Sequence, residues 1–241
     1  MHFSFPKFPS KVFNKGPGSL ILPVNNQIRA WRRANRKMSW GISKEEFDYI
    51  EMPPTLTDKD QYDEVIGVAI FYGFGDDGSG SSDSVLSGKL AWEYASKRWW
   101  SETWQCEYID FDKEDQIRLR PGAPPRPKGF YYAKLLPGEK YGSFTVSQVR
   151  RMLDRDTGWG PEGIQFLSIT HTHFQGMMSN RKIPFMALAD YDVAPYGFND
   201  FFDSIQMFCS NNILGLGIGN VDFNYPLFVT PLLRLEGKER F

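Results

Sequence analysis

The chain has 241 residues, of which 28 are Lys or Arg and 29 are Asp or Glu, so its formal net charge at pH 7 is -1. With 41% hydrophobic and 24% charged residues, the composition predicts a folded, soluble protein rather than a disordered one. No apolar run is long enough to span a bilayer. Two cysteines are too few for a disulfide-stabilised secreted domain, and they favour an intracellular, cytoplasmic location.

Charge is distributed unevenly along the chain. Residues 1–44 contain nine basic residues and no acidic one, which leaves 19 basic and 29 acidic residues, a net charge of -10, in residues 45–241. This asymmetry predicts a basic N-terminal arm, residues 1–44, on an acidic body. The centre of the arm mixes basic and aromatic side chains. The predicted partner-binding residues are Arg29, Trp31, Arg32, Arg33, Arg36, Lys37 and Trp40.

Three interpretations of the arm remain open. In the first, residues 25–44 dock on an acidic or anionic partner, which is a second copy of the chain, another protein subunit, a nucleic acid or a lipid headgroup layer. In the second, the arm is a transit peptide for organelle import, because such peptides are rich in Arg and poor in acidic residues. In the third, it folds back on its own acidic body.

The first half of the chain predicts three helices and one strand. Periodicity predicts a helix over 26–38, and the capping-box pair Ser43 and Glu46 predicts the start of a short helix. The run Val65–Tyr72 is apolar throughout and rich in β-branched residues, which predicts a strand buried on both faces. A Gly/Ser/Asp loop over 73–82 follows, and then a long helix over 83–104.

The Pro-rich stretch 120–129 is a predicted connection between a first lobe, 45–119, and a second lobe, 130–241, although 45–241 can also form one continuous domain. In the second lobe, the predicted strands and helices are mixed and do not alternate strictly. Its predicted elements are a strand over 130–135, a helix capped by Thr145 and Gln148, strands over 164–174 and 183–193, a helix over 199–209 and a Gly-rich strand at 215–220. The fold class predicted is therefore α+β, with a mixed or antiparallel sheet and several packed helices.

His171 and His173 are the strongest candidates for chemistry, because residues i and i+2 of a strand share one face and can bind one metal ion. Asp190 and Asp192 repeat this spacing on the next predicted strand. Together the four side chains suggest a site for one divalent transition metal in a hydrolase or oxygenase. The isolated His-x-His pattern is weak, and histidines held by ordinary hydrogen bonds are the competing interpretation.

Two weaker hypotheses use other acidic residues. Asp190 and Asp192 could form the acid and base of a catalytic carboxylate pair that acts on a sugar. Residues 73–78 match the G-x-G-x-x-G pattern, but Asp76 and Asp77 would repel a pyrophosphate, and the next helix begins too late to offer its N-terminus. A surface loop is the simpler interpretation of this segment.

The leading functional hypothesis is a soluble protein for binding and assembly whose basic, aromatic arm docks on an acidic or anionic partner. The alternative is a metal-dependent enzyme that uses the His-x-His pair and one carboxylate. The sequence leaves open whether the protein is an enzyme.

Overall fold

The computed structural model describes residues 21–63, 65–99, 102–113, 115–136, 138, 141–153, 156–170, 185–195, 200–210, 213–224 and 228–236. The helices are α1 Val24–Met38, α2 Lys44–Asp48, α3 Asp58–Tyr62, α4 Ser84–Arg98, α5 Val146–Met152 and α6 Pro161–Gln165, the last continued by a π-helical segment, Phe166–Thr170. The strands are β1 Gly67–Gly73, β2 Thr103–Gln105, β3 Ile117–Leu119, β4 Gly129–Leu136, β5 Thr157–Gly158, β6 Phe185–Val193, β7 Asp203–Ser210, β8 Ile213–Asn220, β9 Phe228–Val229 and β10 Leu232–Glu236.

The strands form two sheets, which confirms the predicted α+β class. The first sheet has the order β1-β4-β10-β5 and is antiparallel. The second has the order β2-β8-β7-β6-β3 and is mixed, because β2 runs parallel to β8 and β9 runs parallel to β6. None of the helices within the described residues is both long and apolar enough to cross a membrane.

Strand β1 is buried on both faces, as the sequence predicts. Ala69 and Phe71 join the main core, which also contains side chains of α4 and the second sheet. The alternate residues Val68, Ile70 and Tyr72 join an aromatic cluster on the opposite face, beneath α1 and α2. Because successive side chains of a strand point to opposite faces, one continuous apolar run supplies both clusters.

Helix α1 protects the free edge of β1. The side-chain amide of Gln27 donates to the carbonyl of Val68 at 3.0 Å and accepts from the N–H of Ile70 at 2.7 Å, as a neighbouring strand would. Gln165 forms the same pair of bonds with the backbone of Tyr72. An unpaired strand edge is a template for pairing with another chain, and these amides satisfy it instead.

Three sequence-based assignments are wrong. The predicted helix over 83–104 ends at Arg98, and Thr103–Gln105 is a strand whose Trp104 ring packs on Phe208. The predicted strand over 164–174 is helical as far as residue 170. Pro161 favours the start of the helix in its first turn, and the Ser168 and Thr170 hydroxyls donate to carbonyls of the preceding turn.

The third correction concerns the predicted helix over 199–209, which is strand β7 from residue 203 onward. Strand β7 pairs with β6 on one side and with β8 on the other. On β8, a side chain at Gly215 would collide with the Phe208 ring, 2.3 Å from the added carbon, so the glycine permits this close packing.

Strands from both sides of the predicted connection pair in the same sheet. β1, from 45–119, pairs along its full length with β4, from 130–241. Within the connection, Arg126 is completely buried. The predicted boundary at 120–129 therefore separates two segments of the chain whose strands belong to one sheet.

Candidate functional site

Helix α1 carries a basic face on the surface of the molecule. The helix begins after Pro23 and ends at Ser39, which has a left-handed backbone with φ of 55°. Gln27, Trp31 and Ala34 are buried on one side. The exposed side holds five cations, which we call the basic face: Arg29, Arg32, Arg33, Arg36 and Lys37. The spacing of three and four residues between them places these charges along one stripe of the helix.

Of the two predicted tryptophan contacts, Trp31 is buried and Trp40 is partly buried, and both rings pack against the body of the protein. Trp31 is 0% exposed, and its indole N–H donates to the carbonyl of Ile70 at 3.0 Å. Trp40 packs edge-on against Phe74 and Tyr94, with ring centroids 5.2 and 5.6 Å apart. In this fold the tryptophans anchor α1 to the body, so the residues open to a partner are the basic ones.

Within the described part of the chain, only one cation of the basic face, Arg32, has an acidic partner. Arg32 forms an ion pair with Asp48 at 3.1 Å, and both side chains are about half exposed. Among the described residues, no Asp or Glu lies within 4.0 Å of the other four cations. Four like charges along a helix of 15 residues repel one another, and an anionic surface would relieve that repulsion.

A groove lined in part by acidic residues opens near the C-terminal end of β1, whereas Gln27 contacts the N-terminal half of this strand. It has a volume of about 720 Å³ and lies between the loop that follows β1, the first turns of α4 and strand β3. Its apolar lining includes Val85, Leu86, Phe111, Ile117 and Leu119. Its acidic residues are Asp76, Asp77, Asp83 and Asp112, and its cations are Lys89 and Arg118.

The acidic residues of the groove differ in their internal partners. Asp112 forms an ion pair with Lys89, and Asp83 accepts the N–H of Leu86 as the cap of α4. Among the described residues, Asp76 and Asp77 accept bonds from their own loop alone, namely from backbone N–H groups two to four residues further along and from a serine hydroxyl. Those bonds help to lower the pKa of Asp77, so its carboxyl group is ionised at neutral pH.

Asp190 and Asp192, the predicted catalytic or metal-binding carboxylates, are held by arginines. Asp190 is 0% exposed and accepts from Arg120 at 2.7 Å, from Arg126 at 2.8 Å and from the hydroxyl of Thr157. Asp192 forms an ion pair with Arg150 at 2.9 Å. Burial raises the pKa of the Asp192 carboxyl, and the nearby arginines only partly oppose this rise. Such pairing is typical of structural ion pairs.

The same network includes a buried glutamate that the sequence analysis missed. Glu162 is 0% exposed and accepts from Arg126 at 2.6 Å and from the hydroxyl of Tyr131 at 2.7 Å. Burial alone would lower the pKa of Arg126, but Glu162 and Asp190 outweigh it and raise that pKa. No local signal could have revealed this network, because the partners of Arg126 are 36 and 64 residues away in sequence.

The predicted metal ligands His171 and His173 lie outside the described residues. The strand that was expected to carry them is helical up to Thr170. Within the part of the chain that the structure describes, no group of three or more His, Cys, Asp and Glu side chains is placed to hold a metal ion. The metal site therefore stays a prediction, and the carboxylates assigned to it already bind arginines.

In comparisons with known proteins, no family model, no curated protein and no solved structure matches this chain.

Proposed function

We propose that this protein functions in binding and assembly, and that the basic face of α1 docks on an anionic partner surface. The observation that carries the proposal is the set of four exposed cations, Arg29, Arg33, Arg36 and Lys37, without an acidic neighbour among the described residues. The rest of the chain is acidic, so the basic face is a local exception rather than part of a generally basic surface.

The anchoring of α1 supports the same proposal. Binding orders flexible side chains and segments at a cost in free energy, and a partner gains affinity when the surface is already formed. Trp31 and Gln27 fix α1 on the edge of β1 through hydrogen bonds to its backbone. The helix therefore presents its cations on a rigid backbone, and only their side chains must be ordered when a partner binds.

Arginine supplies four of the five charges, which suits an acidic partner. A guanidinium group donates several hydrogen bonds in a planar fork and matches carboxylate and phosphate groups in two-point contacts. A guanidinium also stacks on aromatic rings, as that of Arg32 does 5.4 Å from the centre of the Phe47 ring.

The test uses heparin as a polyanion and the full-length protein. The variant Arg29→Gln/Arg33→Gln/Arg36→Gln removes three charges but keeps residues that favour a helix. We expect it to elute from heparin at lower salt than the wild type. The slope of log affinity against log salt is negative, and its magnitude should decrease by about two to three, because each lost ionic contact removes about 0.7–0.9 from that magnitude.

The matched control removes three exposed cations elsewhere, in Lys59→Gln/Lys97→Gln/Arg151→Gln. It has the same net charge as the α1 variant and should elute with only a small change. Equal elution of the two variants would contradict the proposal, since net charge rather than the basic face would then determine binding.

A further inference from the structure

The basic face and the acidic groove occupy neighbouring parts of the surface. Trp40, two residues beyond α1, packs on Phe74, with ring centroids 5.2 Å apart. Asp76 follows Phe74 by two residues, so their Cα atoms are at most about 7.6 Å apart. The contact between Trp40 and Phe74 therefore brings the last turn of α1 close to the loop after β1. That turn carries Arg36 and Lys37, and the loop carries Asp76 and Asp77.

These two charged surfaces do not neutralise each other within one molecule. Within the described residues, no ion pair joins a cation of α1 to Asp76, Asp77 or Asp112. Within that part of the chain, neither surface is therefore occupied by the other.

We propose that the anionic partner of the basic face is a second copy of this chain, which presents its acidic groove, and that the two copies form a two-fold symmetric dimer. This inference rests on the proposed function and names its partner. A two-fold axis brings the same patch of both subunits together, so a patch with a basic half beside an acidic half is complementary to itself. Each α1 then meets the groove of the other copy, and the contact occurs twice.

The chemistry of the groove fits the side chains of α1. Arg and Lys have long aliphatic stems that cover apolar surface while their charged ends reach polar groups. In the groove, Val85, Leu86 and Phe111 would take the stems, and Asp76 and Asp77 would take the charges, whereas Asp112 is already paired with Lys89. Asp76 and Asp77 form no ion pair with any cation of their own chain among the described residues.

A nucleic acid fits this surface less well than a second copy does. A polyanion that follows α1 past its C-terminal end would approach Asp76 and Asp77, whose like charge would repel it. A second copy presents its acidic groove to the basic face and its basic face to the acidic groove. We therefore take binding of a nucleic acid as an outcome that the experiment must separate.

The experiment is native mass spectrometry of the full-length protein, supported by analytical ultracentrifugation at low and high salt. We expect the wild type to show twice the mass of one chain at low salt and to dissociate at high salt, because exposed ionic contacts are screened. The basic-reversed variant, Arg33→Glu/Arg36→Glu, and the acid-reversed variant, Asp76→Lys/Asp77→Lys, should each be monomeric. A 1:1 mixture of the two variants should form a heterodimer, because both contacts across the two-fold axis are then restored.

Two controls separate charge from folding. Asp76→Asn/Asp77→Asn removes the charge but keeps an oxygen that accepts the loop hydrogen bonds, and it should weaken the dimer without disturbing circular dichroism. Lys97→Glu/Arg151→Glu reverses two exposed cations outside both surfaces and should leave the dimer unchanged.

The results also distinguish this inference from the proposed function. A wild-type monomer, or variants that fail to form the heterodimer, would overturn the dimer. If heparin binding still depends on α1 in that case, the proposed function survives with a different anionic partner, which a nucleic acid added to the wild type would test. If heparin binding does not depend on α1 either, both proposals are wrong.

Discussion

Arg126 and Arg33 carry the same guanidinium group in opposite surroundings. Arg126 is 0% exposed and lies between two buried carboxylates, at 2.6 Å from Glu162 and 2.8 Å from Asp190. Arg33 is exposed on α1, with no Asp or Glu within 4.0 Å among the described residues. Burial makes an unpaired charge very costly, so the interior matches each charge, whereas the surface tolerates an unmatched one. A matched buried pair is therefore informative about the fold, whereas an exposed charge is solvated by water and needs no partner within the protein.

The largest effect should come from removing the buried cation. Arg126→Met removes the cation paired with the buried Glu162 and one of the two cations paired with Asp190, and we expect the free energy of unfolding to decrease by about 3–5 kcal/mol. Urea denaturation measures this change. Arg33→Gln, the matched exposed substitution, should change stability by no more than about 0.5 kcal/mol.

The double variant Arg126→Met/Glu162→Gln sharpens this test. It also removes the negative charge of Glu162, while Asp190 keeps its ion pair with Arg120, so it should recover part of the stability lost in Arg126→Met. If Arg126→Met is as stable as the wild type, the network does not hold the two carboxylates as described.

A smaller loss should follow from Trp31→Phe on the buried side of α1. The substitution removes the indole N–H that bonds to the carbonyl of Ile70 and leaves space beneath the helix. We expect a decrease of about 1–3 kcal/mol in the free energy of unfolding, from the lost hydrogen bond and the lost contacts. Circular dichroism and tryptophan fluorescence should still report one transition. A separate early transition for α1 would show that the helix is a detachable arm.

The smallest effect should come from Arg32→Gln. It breaks the ion pair with Asp48, in which both side chains are about half exposed to water. Pairs of this kind contribute about 0.2–1 kcal/mol, and salt screens them. We expect a loss near the lower end of that range that vanishes at high salt. A loss as large as that of Trp31→Phe would mean that the exposed and buried sides of α1 contribute equally to the fold.

Local signals in the sequence determined much of the structure around the site. The capping boxes at Ser43 and Thr145 start helices where the sequence places them, because each side chain bonds to a backbone group only three residues away. The buried strand β1 and the helix over 26–38 are also confirmed. The five basic residues of α1 and their charge could be predicted because residues 1–44 contain no acid to neutralise them.

Tertiary structure decided the elements whose apolar pattern suits both a helix and a strand. Residues 164–170 became helical, and residues 203–210 became a central strand between β6 and β8. Residues 164–170 carry apolar side chains at the spacings of both structures. Around 203–210, Phe201, Ile205 and Phe208 fit the spacing of a helix, and Ile205, Met207 and Cys209 fit that of a strand, so periodicity alone does not separate the two structures. Packing against elements that are distant in sequence determined which structure each segment adopts.

The sequence by itself determined which residues of α1 carry charge, while the tertiary structure decided which of its residues a partner can reach. Trp31 and Trp40 looked like partner contacts beside the arginines, but β1 and α4 cover them with Ile70, Phe74 and Tyr94. Likewise, Arg126 in a Pro-rich connection gave no sign of Glu162 and Asp190. The physical reason is the same in both cases: charge is a property of one residue, whereas burial depends on neighbours that only the folded chain brings together.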